Sequence, residues 1–265
     1  KWRGYIRGPK GVPQGVTSFI ETILPYLIVN LPFLILAHNG WYLTQSVALA
    51  LSPFFKQADS YWAVLLTHFI ACLCWFMGVH PWAMIGPVYF PFLVANGIAN
   101  AEAYAAGQPL PYITAFGSYY GNSAGGTGNH FPLAFFGLFS KSKTIKAVAK
   151  AAIFTTFFNV NEPTLFGYPV VLNPIYFIPQ VILSPIIHSL YWVVIYYGLV
   201  PRPANPFFSF VPPGFTAFFS TPQAPFTALF WALLTGLVPA TIAWYPFFKV
   251  HEKQMMRQEA DLAKA

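Results

Sequence analysis

The stretch Asn159-Val-Asn-Glu-Pro-Thr-Leu-Phe-Gly-Tyr-Pro-Val-Val-Leu-Asn-Pro-Ile175 sets one carboxylate, three asparagines and three prolines inside a chain otherwise apolar enough for lipid. An ionisable side chain at bilayer depth costs about 2.5–3.5 kcal/mol on insertion scales, so one kept there faces a partner, a cavity or a substrate. Proline breaks a helix, and non-helical backbone at that depth survives only where protein or a water-filled cavity covers it. Broken segments near the bilayer midplane are where transporters bind cargo. The stretch reads as a binding site in an all-α integral membrane protein.

Composition agrees. Hydrophobic residues make up 56% of the chain, charged residues 8%, and the mean hydropathy is +0.54. A soluble domain is roughly a quarter charged. The basic run from Lys1 to Lys10 precedes an apolar stretch that is too long for a signal peptide and lacks a small-residue cleavage site. Cys72 and Cys74, two apart on one expected helix, diverge and read as inert thiols. No metal-ligand spacing or nucleophile elbow is visible, and no cofactor or metal is expected.

The net charge of +7 is not spread evenly: twelve of the fourteen Lys and Arg fall in residues 1–10, 141–150 and 249–264. Each cluster flanks an apolar span, so the positive-inside rule puts all three on the cytoplasmic side. They are topology determinants rather than a nucleic-acid site. The expected organisation is a cytoplasmic segment at 1–15, a membrane domain at 16–248 and a cytoplasmic tail at 249–265. Full spans are expected at 16–38, 60–79, 178–200 and 225–248, with an interfacial helix over 39–59. Between them, re-entrant hairpins around 83–100 and over 144–178 fit the parity of crossings. The Pro- and Phe-rich loop 201–223 should face outside or fold into the mouth of a cavity.

Glu162 is the first candidate site residue: a carboxylate there can hydrogen-bond a polar cargo and accept a proton from it, or it can cap a broken helix. Its neighbours Asn159, Asn161 and Pro163 favour the first role. His80, before Pro81, is a weaker candidate from spacing alone. His38, His68, His130 and His188 read as structural or interfacial, and His251 lies in the tail. The run Tyr119 to Gly128 lacks the lysine and strand of a phosphate loop and suits close helix approach instead, while Asn122 and Thr127 within it can still donate to cargo. Trp41, Trp75, Trp82 and Phe218 suit sugar stacking and interfacial belts alike.

The segment from Asn161 to Pro174 closely resembles the signature of enzyme IIC, the membrane subunit of lactose/cellobiose-type phosphotransferase sugar transporters. Three more pieces resemble that family in order: Val12 to Pro25 as the entry to its central helix, Gly78-Val-His80 as its histidine motif, and Ser140 to Ala147 as its basic cytoplasmic loop. The resemblance covers nearly the whole chain. It implies the substrate domain of an elevator-type, dimeric transporter in the bacterial cytoplasmic membrane. The implied cargo is a β-linked disaccharide of the cellobiose, lactose or chitobiose class, phosphorylated on its 6-hydroxyl by the phosphocysteine of a separate IIB protein fed by IIA. Matched by motif, Glu162 and His80 lie near that hydroxyl, and Asn161 and Asn122 contact the sugar. The match starts at the family's second half, so the helices that build the dimer interface are expected to be missing. His80 is followed by Pro81-Trp82, and the glycine-rich run departs from the family's tighter form. Two other readings stand beside this one: a proton-coupled secondary transporter using Glu162 and His80, and a non-transporting remnant or half-subunit.

Overall fold

The computed structural model describes residues 14–40, 59–207 and 209–263, and the chain divides into two compact units, 1–53 and 54–265. Within the first, α1 (Gln14–His38) occupies the expected first span, with Pro25 and Pro32 inside it. Asn30 and Asn39 donate side-chain N–H groups to the Tyr26 and Ile35 carbonyls, each four residues back and 2.7 Å away. Residues 41–58 of the expected interfacial helix, Trp41 among them, lie outside the described residues, as do Val12 and Pro13.

The second unit opens with α2 (Tyr61–Phe76), whose start is set by Ser60, its Oγ accepting the Ala63 N–H at 3.3 Å. After Gly78 and His80 come α3 (Pro81–Met84) and α4 (Gly86–Ala105), each with proline in its first turn. A hairpin is expected around 83–100, but here the chain breaks only at Ile85 and then runs unbroken through α4. Asp59 Oδ1 accepts the Ile113 and Thr114 N–H groups at 2.9 and 2.6 Å, pinning the loop after α4 to the start of α2. Next come α5 (Phe116–Tyr119), the glycine-rich loop, α6 (Phe131–Leu138), α7 (Lys143–Phe157) and α8 (Glu162–Gly167). Helix α7 packs on both α6 and α8, the latter across the break at 158–161.

From α9 (Pro174–Phe177) a π-helical turn, Ile178–Leu183, leads without interruption into α10 (Ser184–Tyr196). The last elements are α11 (Phe215–Ser220), α12 (Pro225–Thr235) and α13 (Leu237–Leu262). Helix α10 packs on α2, and α13 on α6. Trp75, Leu133, Tyr168, Tyr176, Trp244 and Phe248 meet in the main apolar core, joining α2, α6, α9 and α13.

Among the described residues, Pro174–Tyr196 and Pro225–Leu262 are long and apolar enough to cross a bilayer; Tyr61–Phe76 is a shorter apolar helix. Thus two of the four expected spans meet both criteria. The 38 residues of the last one reach roughly 57 Å against a hydrocarbon core of about 30 Å. Its apolar part closes at Phe248, and from Lys249 it continues as the polar tail. Phe226, Phe230 and Ile242 point outward from the apolar part, a bare face suited to lipid.

The tail is tied down. Glu252 accepts from Ser140 Oγ at 2.7 Å and Lys141 N at 2.8 Å, while Glu259 accepts from Ser142 Oγ at 2.7 Å and Thr144 N at 2.8 Å. Glu259 thus occupies donors that begin α7, and Glu252 those of the connection just before it.

Candidate functional site

The site is built around the break between α7 and α8. Asn159 sits there in the left-handed region, φ +64°, a conformation asparagine tolerates better than most residues. Its Oδ1 accepts three hydrogen bonds, from Gly125 N at 2.7 Å, Gly126 N at 2.9 Å and Ser123 Oγ at 3.2 Å. Its Nδ2 donates to the Val211 carbonyl at 2.8 Å. One side chain thus fastens the glycine-rich loop and the 201–223 loop to the break. Gly126, at φ +74°, is needed for this closeness, since a Cβ there would lie 2.8 Å from the Asn159 carbonyl oxygen and 3.0 Å from Asn161.

Asn161, two residues on, is buried. Its Nδ2 donates to the Thr127 carbonyl at 2.8 Å and to His130 Nδ1 at 3.1 Å. With Nδ1 accepting, the proton of a neutral His130 resides on Nε2, which donates to Gln180 Oε1 at 2.8 Å; Gln180 Nε2 in turn donates to the Cys72 carbonyl at 3.2 Å. The chain of bonds is self-consistent in every donor and acceptor and ends on α2. Gln180 lies in the π-helical turn, a distortion that recurs at functional sites.

The break ends at Glu162, the first residue of α8, with Pro163 behind it. His80, at the N-terminal end of α3, makes no cap hydrogen bond with its ring. Its Nε2 stands 3.9 Å from Glu162 Oε1, the two side chains being 52% and 39% exposed. The Trp75 ring meets the imidazole edge-on, centroids 4.8 Å apart, and orients it. Beside them opens a cavity of about 300 Å³, at the lower end of the range for small-molecule sites. Trp75, Trp82, Phe90, Tyr120 and Phe210 give it aromatic walls, and Ser123, Thr127, Asn159, Asn161 and Glu162 give it polar ones. Trp82 stacks on Phe90 at 5.4 Å and meets Tyr120 edge-on at 5.6 Å.

Of the four residues singled out in the sequence, His80, Asn161 and Glu162 line this one cavity. Asn122 does not. It is fully buried, and its Nδ2 donates to the Ile187 and Thr235 carbonyls at 2.8 and 3.4 Å, joining α10 to α12. Asn122, expected as a sugar contact, therefore stands outside the lining of this cavity, with its amide nitrogen turned into helix packing. Thr127 does reach the cavity, as do Trp75 and Trp82, while Phe218 is not among the lining residues. Ser209, Phe210 and Thr216 show that the 201–223 loop folds into the cavity wall. His68 and His188 are buried and stacked 4.5 Å apart. Cys72 and Cys74 are free thiols. His130, read as structural, is buried between Asn161 and Gln180, partners 31 and 50 residues away along the chain that no local sequence signal joins to it.

Residues 4–184 match the family model described as phosphotransferase system, EIIC. The lactose-specific EIICB component of Streptococcus mutans is 32% identical over 267 residues, covering 97% of this chain and 46% of that protein. The oligo-beta-mannoside-specific EIIC component of Bacillus subtilis is 27% identical, covering 97% of this chain and 60% of its own length. The chain thus spans about half the length of such relatives. In fold it is similar to the crystal structure of ChbC, the IIC component from the N,N'-diacetylchitobiose-specific phosphotransferase system. The TM-score is 0.72 with 24% identity over 96% of this chain and 61% of that one.

Proposed function

The chain belongs to the phosphotransferase system EIIC family, and from that membership we propose that it forms the sugar-binding part of a membrane transporter subunit. Its cargo in this reading is a β-linked disaccharide, held with its 6-hydroxyl toward a phosphorylated IIB partner. The observation that carries the reading is the pair His80–Glu162, 3.9 Å apart and half open beside an aromatic-walled cavity. Because 3.9 Å is shorter than two hydrogen bonds of about 2.8 Å placed end to end, a single hydroxyl oxygen fits within bonding distance of both groups.

The chemistry follows from that position. Glu162 accepts the hydroxyl proton, and His80 fixes the oxygen by a hydrogen bond from Nε2. As the oxygen attacks phosphorus, the O–P bond forms, the S–P bond to the partner's cysteine breaks, and the proton passes to the carboxylate. Such a transfer is largely a matter of positioning, which is what the Trp75 ring and the Asn161–His130–Gln180 chain of bonds supply. The partial exposure of both groups leaves a path for a phosphoryl group delivered from outside the chain. Pyranose faces stack on aromatic rings, and Trp82 with Tyr120 offers such a surface. Transport would then carry the whole unit and its cargo across the membrane as one body, the elevator motion that the family resemblance implies.

Titration calorimetry of the purified chain in detergent against cellobiose, lactose and chitobiose tests this, with Glu162→Gln and His80→Ala alongside. One β-disaccharide should bind, and either substitution should weaken it at least ten-fold, about 1.4 kcal/mol. Folded protein that binds none of them, or variants that bind like the parent, would refute the assignment. Accumulation of unmodified sugar that collapses with an uncoupler would point instead to proton coupling.

A further inference from the structure

The tail end of α13 carries Lys249, Lys253 and Arg257 at four-residue spacing, so all three project from one helical face. Like charges so spaced repel one another, an arrangement that favours an anion close by. Together with Lys141, from the connection between α6 and α7, they line a groove of about 440 Å³ to which Met256 and Ala260 add apolar surface. The carboxylate in this groove, Glu252, is already engaged by Ser140, by the Lys141 N–H and by Lys249. Among the described residues Lys141, Lys253 and Arg257 have no ion-pair partner. The start of α7 is no rival site for an anion, because Glu259 fills it.

Depth along the helix selects the occupant. The 24 residues from Pro225 to Phe248 rise roughly 36 Å, enough to cross the hydrocarbon core, and the groove begins at the next residue. Lys249 lies 5.7 Å from the centre of the Phe248 ring, which holds that ammonium at the boundary. A cytoplasmic leaflet rich in anionic lipid presents phosphate at this level. We infer that the groove binds the phosphate headgroup of an anionic phospholipid. Lys141, Lys253 and Arg257 take the phosphate and the Met256–Ala260 surface takes the neck of the acyl chains. The inference rests on the membrane reading of residues 225–248 and is independent of the sugar.

Native mass spectrometry of the full chain in mild detergent, titrated with phosphatidylglycerol or phosphatidylcholine, tests it. The parent should retain phosphatidylglycerol about ten-fold better than phosphatidylcholine. Lys253→Gln with Arg257→Gln should abolish that preference, whereas Lys146→Gln with Lys150→Gln, the same loss of charge elsewhere, should keep it. All four side chains are exposed, and unchanged thermal melting will show that both variants fold. Equal retention of the two lipids, or equal loss in the two variants, overturns the site. Displacement of the lipid by millimolar inorganic phosphate makes it a free-anion site. A phosphoprotein partner that loses affinity for the first variant while the lipid does not makes it a protein-docking face. Both of these outcomes overturn the lipid assignment. A chain that stays monodisperse without detergent overturns the membrane premise instead.

Discussion

At the level of single residues the site depends on two asparagines that do different work. Asn159 holds structure: one oxygen gathers three donors from the glycine-rich loop while the backbone sits at φ +64°. Asn159→Ala removes that acceptor and places a Cβ residue without side-chain compensation in the left-handed region. Each buried donor left unsatisfied costs about 1–3 kcal/mol, and alanine tolerates the left-handed conformation less well than asparagine. The variant should melt well below the parent in detergent and lose cargo binding. Asn159→Gly relieves the strain but restores no bond, so it should recover only part of the melting temperature; full recovery would mean that the hydrogen bonds contribute little. Asn161 instead presents a surface to the cavity and is itself oriented through His130. Replacing His130 by Phe keeps the volume and cuts the relay to Gln180. Sugar affinity should fall roughly ten-fold, the effect of losing about 1.4 kcal/mol of positioning, and Gln180→Leu should produce a similar fall. A parent-like affinity in both would show that Asn161 is held by Thr127 alone.

At the level of elements, two close approaches set how α12, α13 and α7 meet the rest. Gly236 joins α12 to α13, and a Cβ there would fall 1.9 Å from the Asn122 carbonyl oxygen. A backbone oxygen cannot rotate away, so Gly236→Ala should destabilise by about 1–3 kcal/mol through overpacking, read as a lower melting temperature. The second approach is the seat of Glu259 at the start of α7. The Thr144 N–H and the Ser142 hydroxyl bond its carboxylate and lower its pKa to about 2. Burial pushes the Glu252 carboxyl up, but the bonds from Lys249, Ser140 and Lys141 outweigh it, and the net direction is also down. Groups with depressed folded-state pKa values stabilise above the unfolded value and lose that contribution as pH falls through the folded one. The tail should therefore loosen from α7 between about pH 5 and 2, seen as a loss of amide protection over residues 249–262 relative to the intrinsic exchange rate at each pH. Glu259→Gln should bring part of that loss of protection to neutral pH. These elements also show what a sequence can disclose. The break at 159–162 was legible because its signals are local: prolines, a carboxylate and asparagines within a few residues. Asn122 and Asn161 look alike in sequence, and their roles separate only through partners up to 113 residues away. The unbroken α4 was missed for a similar reason. Pro87 falls in its first turn and Pro91 is accommodated inside it, so one helix runs where the parity of crossings suggested a hairpin.

For the molecule as a whole, the decisive arrangement is that a loop far along the chain closes the cavity made by earlier elements. Ser209, Phe210 and Thr216 complete a wall opposite residues that begin at Trp75, and Asn159 fastens that loop through the Val211 carbonyl. The exposure of His80 and Glu162 makes the cavity open to a reagent in its present form. A thiol at position 209 should therefore report occupancy. In Ser209→Cys, a membrane-impermeant maleimide should label from one face of sealed vesicles, and saturating disaccharide should slow labelling several-fold by filling the cavity. Lys253→Cys, in the tail, should label from a single face at a rate the sugar does not alter. Cys72 is buried and Cys74 only partly exposed, so the parent chain supplies a low background. Sugar protection at 209 with none at 253 ties binding to this cavity and leaves the tail out of it. Equal slowing at both positions would mean that the sugar acts on the molecule globally. No slowing at 209 in protein that binds sugar would move the binding site elsewhere in the membrane unit.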